Sequence, residues 1–168
     1  MKIGITGHQR LQNPASWKWV QQEMDDLLGA MPTPLVGISS LAVGADQLFA
    51  NLILQRGGEL EAIIPFDGYE STFVVDGDLE EFTRLLGCCT RSETLERLGS
   101  DEEAYFAAGK KVVDLADLIV AVWDGLPARG LGGTADAVKY ASQQQKRTVH
   151  LNPITRTRHY IVNNKTLD

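Results

Sequence analysis

Three stretches of this chain hold residues able to bind or transform a charged ligand. The first is Thr6-Gly7-His8-Gln9-Arg10, where Gly7 lets a ligand approach the backbone and Arg10 offers a guanidinium fork for phosphate. The second is Ser39-Ser40-Leu41-Ala42-Val43-Gly44-Ala45-Asp46. It sets two hydroxyls and a small-residue turn against the start of a helix, where free N–H groups and the helix dipole favour an anion. The third is Asp124-Gly125 followed by Arg129-Gly130-Leu131-Gly132-Gly133-Thr134. Its glycines allow a tight phosphate-facing turn, and Thr134 either caps the next helix or binds a phosphate oxygen. The ligand-binding candidates are therefore Gly7, His8, Arg10, Ser39, Ser40, Gly44, Asp46, Asp124, Gly125, Gly132, Gly133 and Thr134. Asp124 ends an apolar run, where an acid can hold ribose hydroxyls or a Mg²⁺ ion that accompanies a nucleotide. Together these loops describe a cleft for a nucleotide or sugar phosphate.

Each residue also has a plainer reading. Gly44 and Gly133 can simply make turns, Asp46 can be a helix N-terminal charge, Thr134 a cap and Arg10 a solvated ion. None of the loops is a Walker A motif, and Gly4-Ile5-Thr6-Gly7 is not the dinucleotide G-x-G-x-x-G. His150 and His159 lack partners at metal spacing, and no protein-only metal site is expected. Lys110-Lys111 reads as a solvated helix face, and Trp17 and Trp19 read as packing residues.

The elements that position these loops follow from periodicity. Strands are expected at Lys2–Thr6, Leu35–Ser39, Leu60–Ile64, Leu118–Trp123 and Thr148–Leu151, with a further short one at Cys88–Ser92. Helices are expected after Pro14, after Asp46, over Asp78–Leu86, over Asp101–Ala116 and over Thr134–Gln145. Phe66–Asp76 reads as irregular, and the polar tail from Asn152 has no strong period. The run Leu118–Trp123 is apolar throughout, as a parallel strand buried on both faces should be. Regular alternation of strand and helix predicts an α/β fold: a mostly parallel central sheet sandwiched by helices, three layers in all. Ligands in such sheets bind beyond the carboxyl ends of the strands, where all three loops fall.

Length and composition bound the rest. The 168 residues fit one domain, expected over 1–151, with 152–168 as a tail packed on it or extending from it. A net charge of -6 argues against broad nucleic-acid binding, which needs a basic face. No apolar stretch reaches the length of a membrane helix. Cys88 and Cys89 are adjacent, ill placed for a structural disulfide, and read as buried packing in a reducing cytoplasm.

The ordered set of loops resembles the SLOG superfamily, which unites the DNA-processing protein Smf with the LOG cytokinin-activating phosphoribohydrolases. Ile3–Arg10 is similar to the opening strand and G-x-R-type loop of that family. Ser39–Asp46 resembles the Smf-type S-G-L-A-x-G-I-D turn, and Ala116–Gly125 with Gly132-Gly133-Thr134 resembles its later strand and glycine turn. The resemblance covers roughly residues 1–151. It implies a Rossmann-like fold, a nucleotide or nucleotide-derived ligand, and a homo-oligomer, commonly a dimer. It also exposes departures. The LOG enzymes carry a catalytic Glu in P-G-G-x-G-T-x-x-E, where this chain has Ala137, and a helical Arg where the simplest alignment gives Ala108. Asp136 is one position off, and its side chain is expected to turn away from the glycine turn.

The leading reading is thus a stand-alone binding domain, a sensor or carrier of a nucleotide or nucleotide-derived phosphate. The alternative is an N-glycosidase or phosphoribohydrolase acting on nucleoside monophosphates, with Asp124 and Asp136 as the candidate catalytic carboxylates and Asp46 behind them. A third reading is an assembly module with a vestigial cleft.

Overall fold

The computed structural model describes residues 1–127, 131–162 and 165–167, with side chains described through residue 161. Arg129 and Gly130 of the third loop lie outside the described residues. The elements, in order, are β1 (Lys2–Gly7), α1 (Ser16–Gly29), β2 (Val36–Ser39), α2 (Ala45–Gln55), β3 (Glu59–Ile64), a 3-10 turn (Tyr69–Thr72) and α3 (Asp76–Gly87). There follow β4 (Arg91–Thr94), α4 (Asp101–Leu115), β5 (Leu118–Val122), α5 (Thr134–Gln143), β6 (Arg147–Asn152), β7 (Thr157–Val162) and β8 (Lys165–Leu167).

All eight described strands form one sheet in the order β4-β3-β2-β1-β5-β6-β7-β8. The first six run parallel, and β7 and β8 add on antiparallel. This is the α/β, mostly parallel arrangement expected from the alternation, and it is Rossmann-like. Helices α1 and α2 share one apolar cluster with Ile3, Ile5, Leu118, Val120 and Val122, on one face of the sheet. Helices α4 and α5 share another with Ile38, Ile63 and Ile119, on the opposite face. The alternation of Leu118/Val120/Val122 and Ile119 between the two clusters is the period of two that a strand imposes. β5 is buried at every position, as its unbroken apolar run requires.

Two differences from the expected elements have local causes. Cys88 caps the end of α3, so the edge strand starts only at Arg91. Cys88 is exposed, not buried as expected, while Cys89 is half-buried against the α3 apolar cluster with its thiol donating to the Leu85 carbonyl. Beyond Asn152, where no period was legible, the chain turns and pairs as β7 along β6, from Thr148↔Ile161 to Asn152↔Thr157. Among the described residues no helix is long and apolar enough to cross a membrane.

The loops are held to one another by backbone contact. Gly44 sits at φ +86°, and a Cβ there would lie 2.6 Å from the His8 carbonyl oxygen and closer still to that of Gln9. Gly57, at φ +70°, follows the end of α2 with open space around it. Any side chain at position 44 therefore meets both a strained backbone and a collision, while position 57 meets only the strain. Gly44→Ala is expected to lose about 3 kcal/mol of stability in urea unfolding, and Gly57→Ala only about 1 kcal/mol. Equal losses at the two positions would contradict the contact between the first two loops.

Candidate functional site

The strand order reverses between β1 and β5. From β1 the chain builds outward through β2, β3 and β4, and from β5 through β6. Loops leaving adjacent strands in opposite directions part at that point, and a crevice opens above the carboxyl ends. A cleft of about 990 Å³ lies there, lined by residues from all three sequence-predicted loops. Gly7, His8, Arg10, Ser40, Asp46, Asp124, Gly132, Gly133 and Thr134 are on its wall. Ser39, Gly44 and Gly125 are not.

The seam between β1 and β5 is closed by His8. Its amide donates to the Val122 carbonyl (3.0 Å) and its carbonyl accepts from the Ala45 amide (3.2 Å), which ties β5 to the start of α2. Its ring Nε2 stands 3.2 Å from the Asp124 amide and 3.3 Å from Asp124 Oδ1. A neutral ring protonated on Nδ1 accepts from that amide, and a protonated ring donates to the carboxylate. Asp124 Oδ1 also accepts from the Leu126 amide (3.0 Å), and its carbonyl accepts from Asn152 Nδ2 (3.2 Å). The His8–Asp124 pair faces the cleft but is already fixed by the protein.

The second loop is self-contained. Asp46 Oδ2 accepts from the Ser39 hydroxyl (2.9 Å) and the Ser40 amide (3.0 Å), and Ser39 Oγ accepts from the Leu41 amide (2.9 Å). These bonds hold Leu41 at φ +57°, a left-handed conformation uncommon for a branched side chain. The anion expected at this turn is thus the chain's own carboxylate. Burial pushes the Asp46 carboxyl up to about 6, against the lowering effect of Ser39, Ser40 and Ala42. Ser39 is fully buried beneath the turn, and Gly44 serves the contact with His8 and Gln9 described above.

The third loop is different. Gly132, at φ +84°, lies so close to α4 that a Cβ would stand 2.6 Å from the Glu102 carbonyl. Gly133 caps α5, and its carbonyl accepts from the amides of Asp136 (3.0 Å) and Ala137 (3.2 Å). The amides of Thr134 and Ala135 precede the first helical carbonyl that could receive them. Both residues line the cleft. Asp136 does not turn away from the glycine turn as expected. Helical side chains lean toward the N-terminus, and its Oδ2 accepts from the Gly132 amide at 3.0 Å. It stabilises the turn and is not on the cleft wall, which instead carries Ala137.

Arg10 lines the cleft as well. Its guanidinium is paired with Asp78 of α3 at 2.6 Å, well exposed at the mouth. It is the only Lys or Arg among the described lining residues. No group of three or more His, Cys, Asp or Glu able to hold a metal occurs among the described residues. A Mg²⁺ ion at Asp124 would therefore take its other ligands from phosphate and water.

An aromatic wall was not foreseen. Tyr69 and Phe73, from the segment read as irregular, and Tyr105 and Phe106 of α4 all line the cleft. Tyr69 makes edge-on contacts with Phe73 (5.3 Å), Phe82 (5.6 Å) and Tyr105 (6.1 Å). Burial, with Asp46 nearby, holds the Tyr69 phenol far above its usual range. The only available signal was the density of aromatics between Phe66 and Phe82.

With this geometry in place, solved structures supply the comparison. DNA processing protein A from Helicobacter pylori superposes with a TM-score of 0.64 at 16% identity, covering 89% of this chain and 64% of that one. The same protein (DprA) from Streptococcus pneumoniae gives 0.61 at 16% identity, covering 89% and 49%. The chain shares the fold of these DNA processing proteins. The structural-genomics target TM1055 gives a TM-score of 0.58 at 15% identity, over 99% of this chain and 85% of that one. The chain thus spans less than two thirds of either DNA processing protein. No protein-family model matches the sequence, and no curated protein does. The Helicobacter protein has a single-stranded DNA binding mode. The expectation that net charge makes broad nucleic-acid binding unlikely does not fit that neighbour.

Asp46 generates a pH prediction. Its folded value of about 6 lies above the ordinary 3.8, so the folded protein keeps a proton that the unfolded chain releases. That contribution to stability is full below about pH 4 and is lost as pH rises through 6, by up to about 3 kcal/mol. Urea unfolding of the wild type and Asp46→Asn at pH 4 and pH 7.5 is expected to show the wild type losing ground to the variant at the higher pH. A difference that stays constant across this window would mean that the carboxyl is not held as described.

Proposed function

We propose that the cleft binds a nucleotide or nucleotide-derived phosphate and that the chain acts as a sensor or carrier of it. The observation that carries this reading is the pairing of two features across one crevice. The open amides at the start of α5 offer fixed dipoles to an anion, and the aromatic wall offers a stacking surface for a base. An inorganic anion alone would leave the aromatic wall unused, and a neutral ring alone would leave the amides unused. The resemblance to the SLOG proteins points the same way.

The hydrolase alternative is weaker on the same wall. Cleavage of an N-glycosidic bond needs a carboxylate at the anomeric carbon and stabilisation of the developing charge. Ala137 lines the cleft where the LOG-type glutamate would stand, and Ala108 is buried in the packing of α4. The cleft-facing residues of α4 are Tyr105, Phe106, Gly109 and Val112, without a cation. Asp136 is engaged by Gly132, which leaves Asp124 as the one partly exposed acid at the site.

Thermal shift with a nucleotide panel tests the proposal. At least one nucleotide is expected to raise the Tm, and a folded Gly133→Val variant is expected to lose that response, because a branched side chain would stand at the helix start. Failure of every nucleotide to move the Tm would favour the assembly-module reading. Incubation with AMP is expected to release adenine at least about 100-fold more slowly than a LOG-type enzyme would, since the catalytic charges are missing. Rapid release of free base would return Asp124 to a chemical role.

A further inference from the structure

Resting on the proposed function, we infer that the ligand has two ends: two ring systems, at least one a nucleobase, joined through phosphate. The cleft is longer than one nucleotide needs. It is lined by residues following β3, β2, β1, β5 and β6, from Pro65 and Tyr69 at one end to Pro153 and Ile154 at the other. Four steps between neighbouring strands make this a span of ~19 Å along the sheet edge. Its volume of about 990 Å³ lies at the top of the range for small-molecule sites.

The composition of the wall changes along that span. α4 packs on β1, β2 and β3, and brings Tyr105 beside Tyr69 and Phe73 at one end. α5 packs on β1, β5 and β6, so its open amides lie centrally, near His8 and Asp124. Past them stands a second apolar surface of Trp123, Leu126, Pro127, Pro153 and Ile154. Leu126 is 58% exposed and Ile154 is 55% exposed, so the described residues leave this surface open although it continues the cleft. Trp123 is held in place, its Nε1 donating to the Leu126 carbonyl at 2.8 Å and its ring lying 5.2 Å from that of His150.

A mononucleotide with its phosphate at Thr134 and its base against Tyr105 covers only the β3 side. The β6 side then keeps two large apolar side chains in water beside a filled site. A second ring, reached through the same phosphate, covers them. The order along the cleft is therefore ring, phosphate, ring, with the neutral amides of α5 in the middle.

The experiment compares AMP, ADP and a probe of two adenosines joined by a diphosphate, titrated calorimetrically into the full chain. The two-ended probe is expected to bind about tenfold or more tighter than ADP, the gain of one stacked ring. Ile154→Asp and, separately, Leu126→Asp should bring the probe's affinity down towards that of ADP, a larger loss than ADP itself shows. Both positions are exposed, so the variants should fold. Tyr105→Ala should weaken all three ligands. If ADP binds and the probe binds no tighter, the two-ended site is wrong while nucleotide binding stands. If none binds, both fail. A single-stranded oligonucleotide that binds more tightly than the probe, and is weakened by the same Asp variants, would replace the small ligand with a polynucleotide and overturn the inference.

Discussion

β1 lies at the centre of the sheet with a glycine directed at each helical layer, and the cleft depends on the two close approaches this permits. A Cβ at Gly4 would stand 2.8 Å from Val112 of α4. A Cβ at Gly7 would stand 2.5 Å from Ala45 of α2 and 2.9 Å from Val122 of β5. Helices that pack this closely lower the cleft floor onto the strand ends. Val112 then reaches the floor from one side, while the turn at Ala42 and Val43 reaches the wall from the other. His8 follows Gly7 directly, so the same close approach delivers its backbone to Val122 and Ala45. Larger residues at positions 4 and 7 would push both layers away and separate the loops that have to converge.

The parts of this arrangement legible in the sequence were those set by local rules. The unbroken apolar run of β5 declared a doubly covered parallel strand, and glycines just after strands marked the loops of the switch point. Features set by distant partners were not legible. Arg10 meets an acid 68 positions away, and no local pattern distinguishes that pairing from a free guanidinium. Tyr105 and Phe106 fall on the helical period of α4, so they looked like packing; only the position of α4 relative to β3 turns them toward the cleft. β7 carries Thr157, Arg158, His159 and Tyr160, with polar groups on both alternating faces. A strand near a sheet edge can tolerate that composition because neither face has to be dry, and so it leaves no period to read.

Asp46 and Asp136 illustrate a second limit. Both stand in the first turn of a helix, where a carboxylate complements the unpaired amides. From sequence, each competes with an external anion for that position, and the outcome depends on side-chain direction. Asp46 folds under its own turn and takes the Ser39 hydroxyl and Ser40 amide, so the start of α2 is neutralised from inside. Asp136 takes the Gly132 amide, one residue ahead of the cap, and leaves the amides of Thr134 and Ala135 on the cleft side. The same residue type at similar helix positions therefore fills the start of one helix and braces the turn before the other.

That asymmetry also bears on how this cleft differs from the LOG-type pattern that its loops resemble. A phosphate held by cations is bound by strong attraction, and the same cations stabilise charge that develops during bond cleavage. Here the described cleft has one guanidinium, already committed to Asp78, and a floor of Tyr105, Phe106, Gly109, Val112 and Ala137. Neutral amides at α5 can fix the position of a phosphate without supplying a group that moves a proton. Aromatic rings can fix a base without polarising it. On the proposed reading this wall is suited to positioning a nucleotide, with His8–Asp124 the one acid–base pair among the described residues beside it.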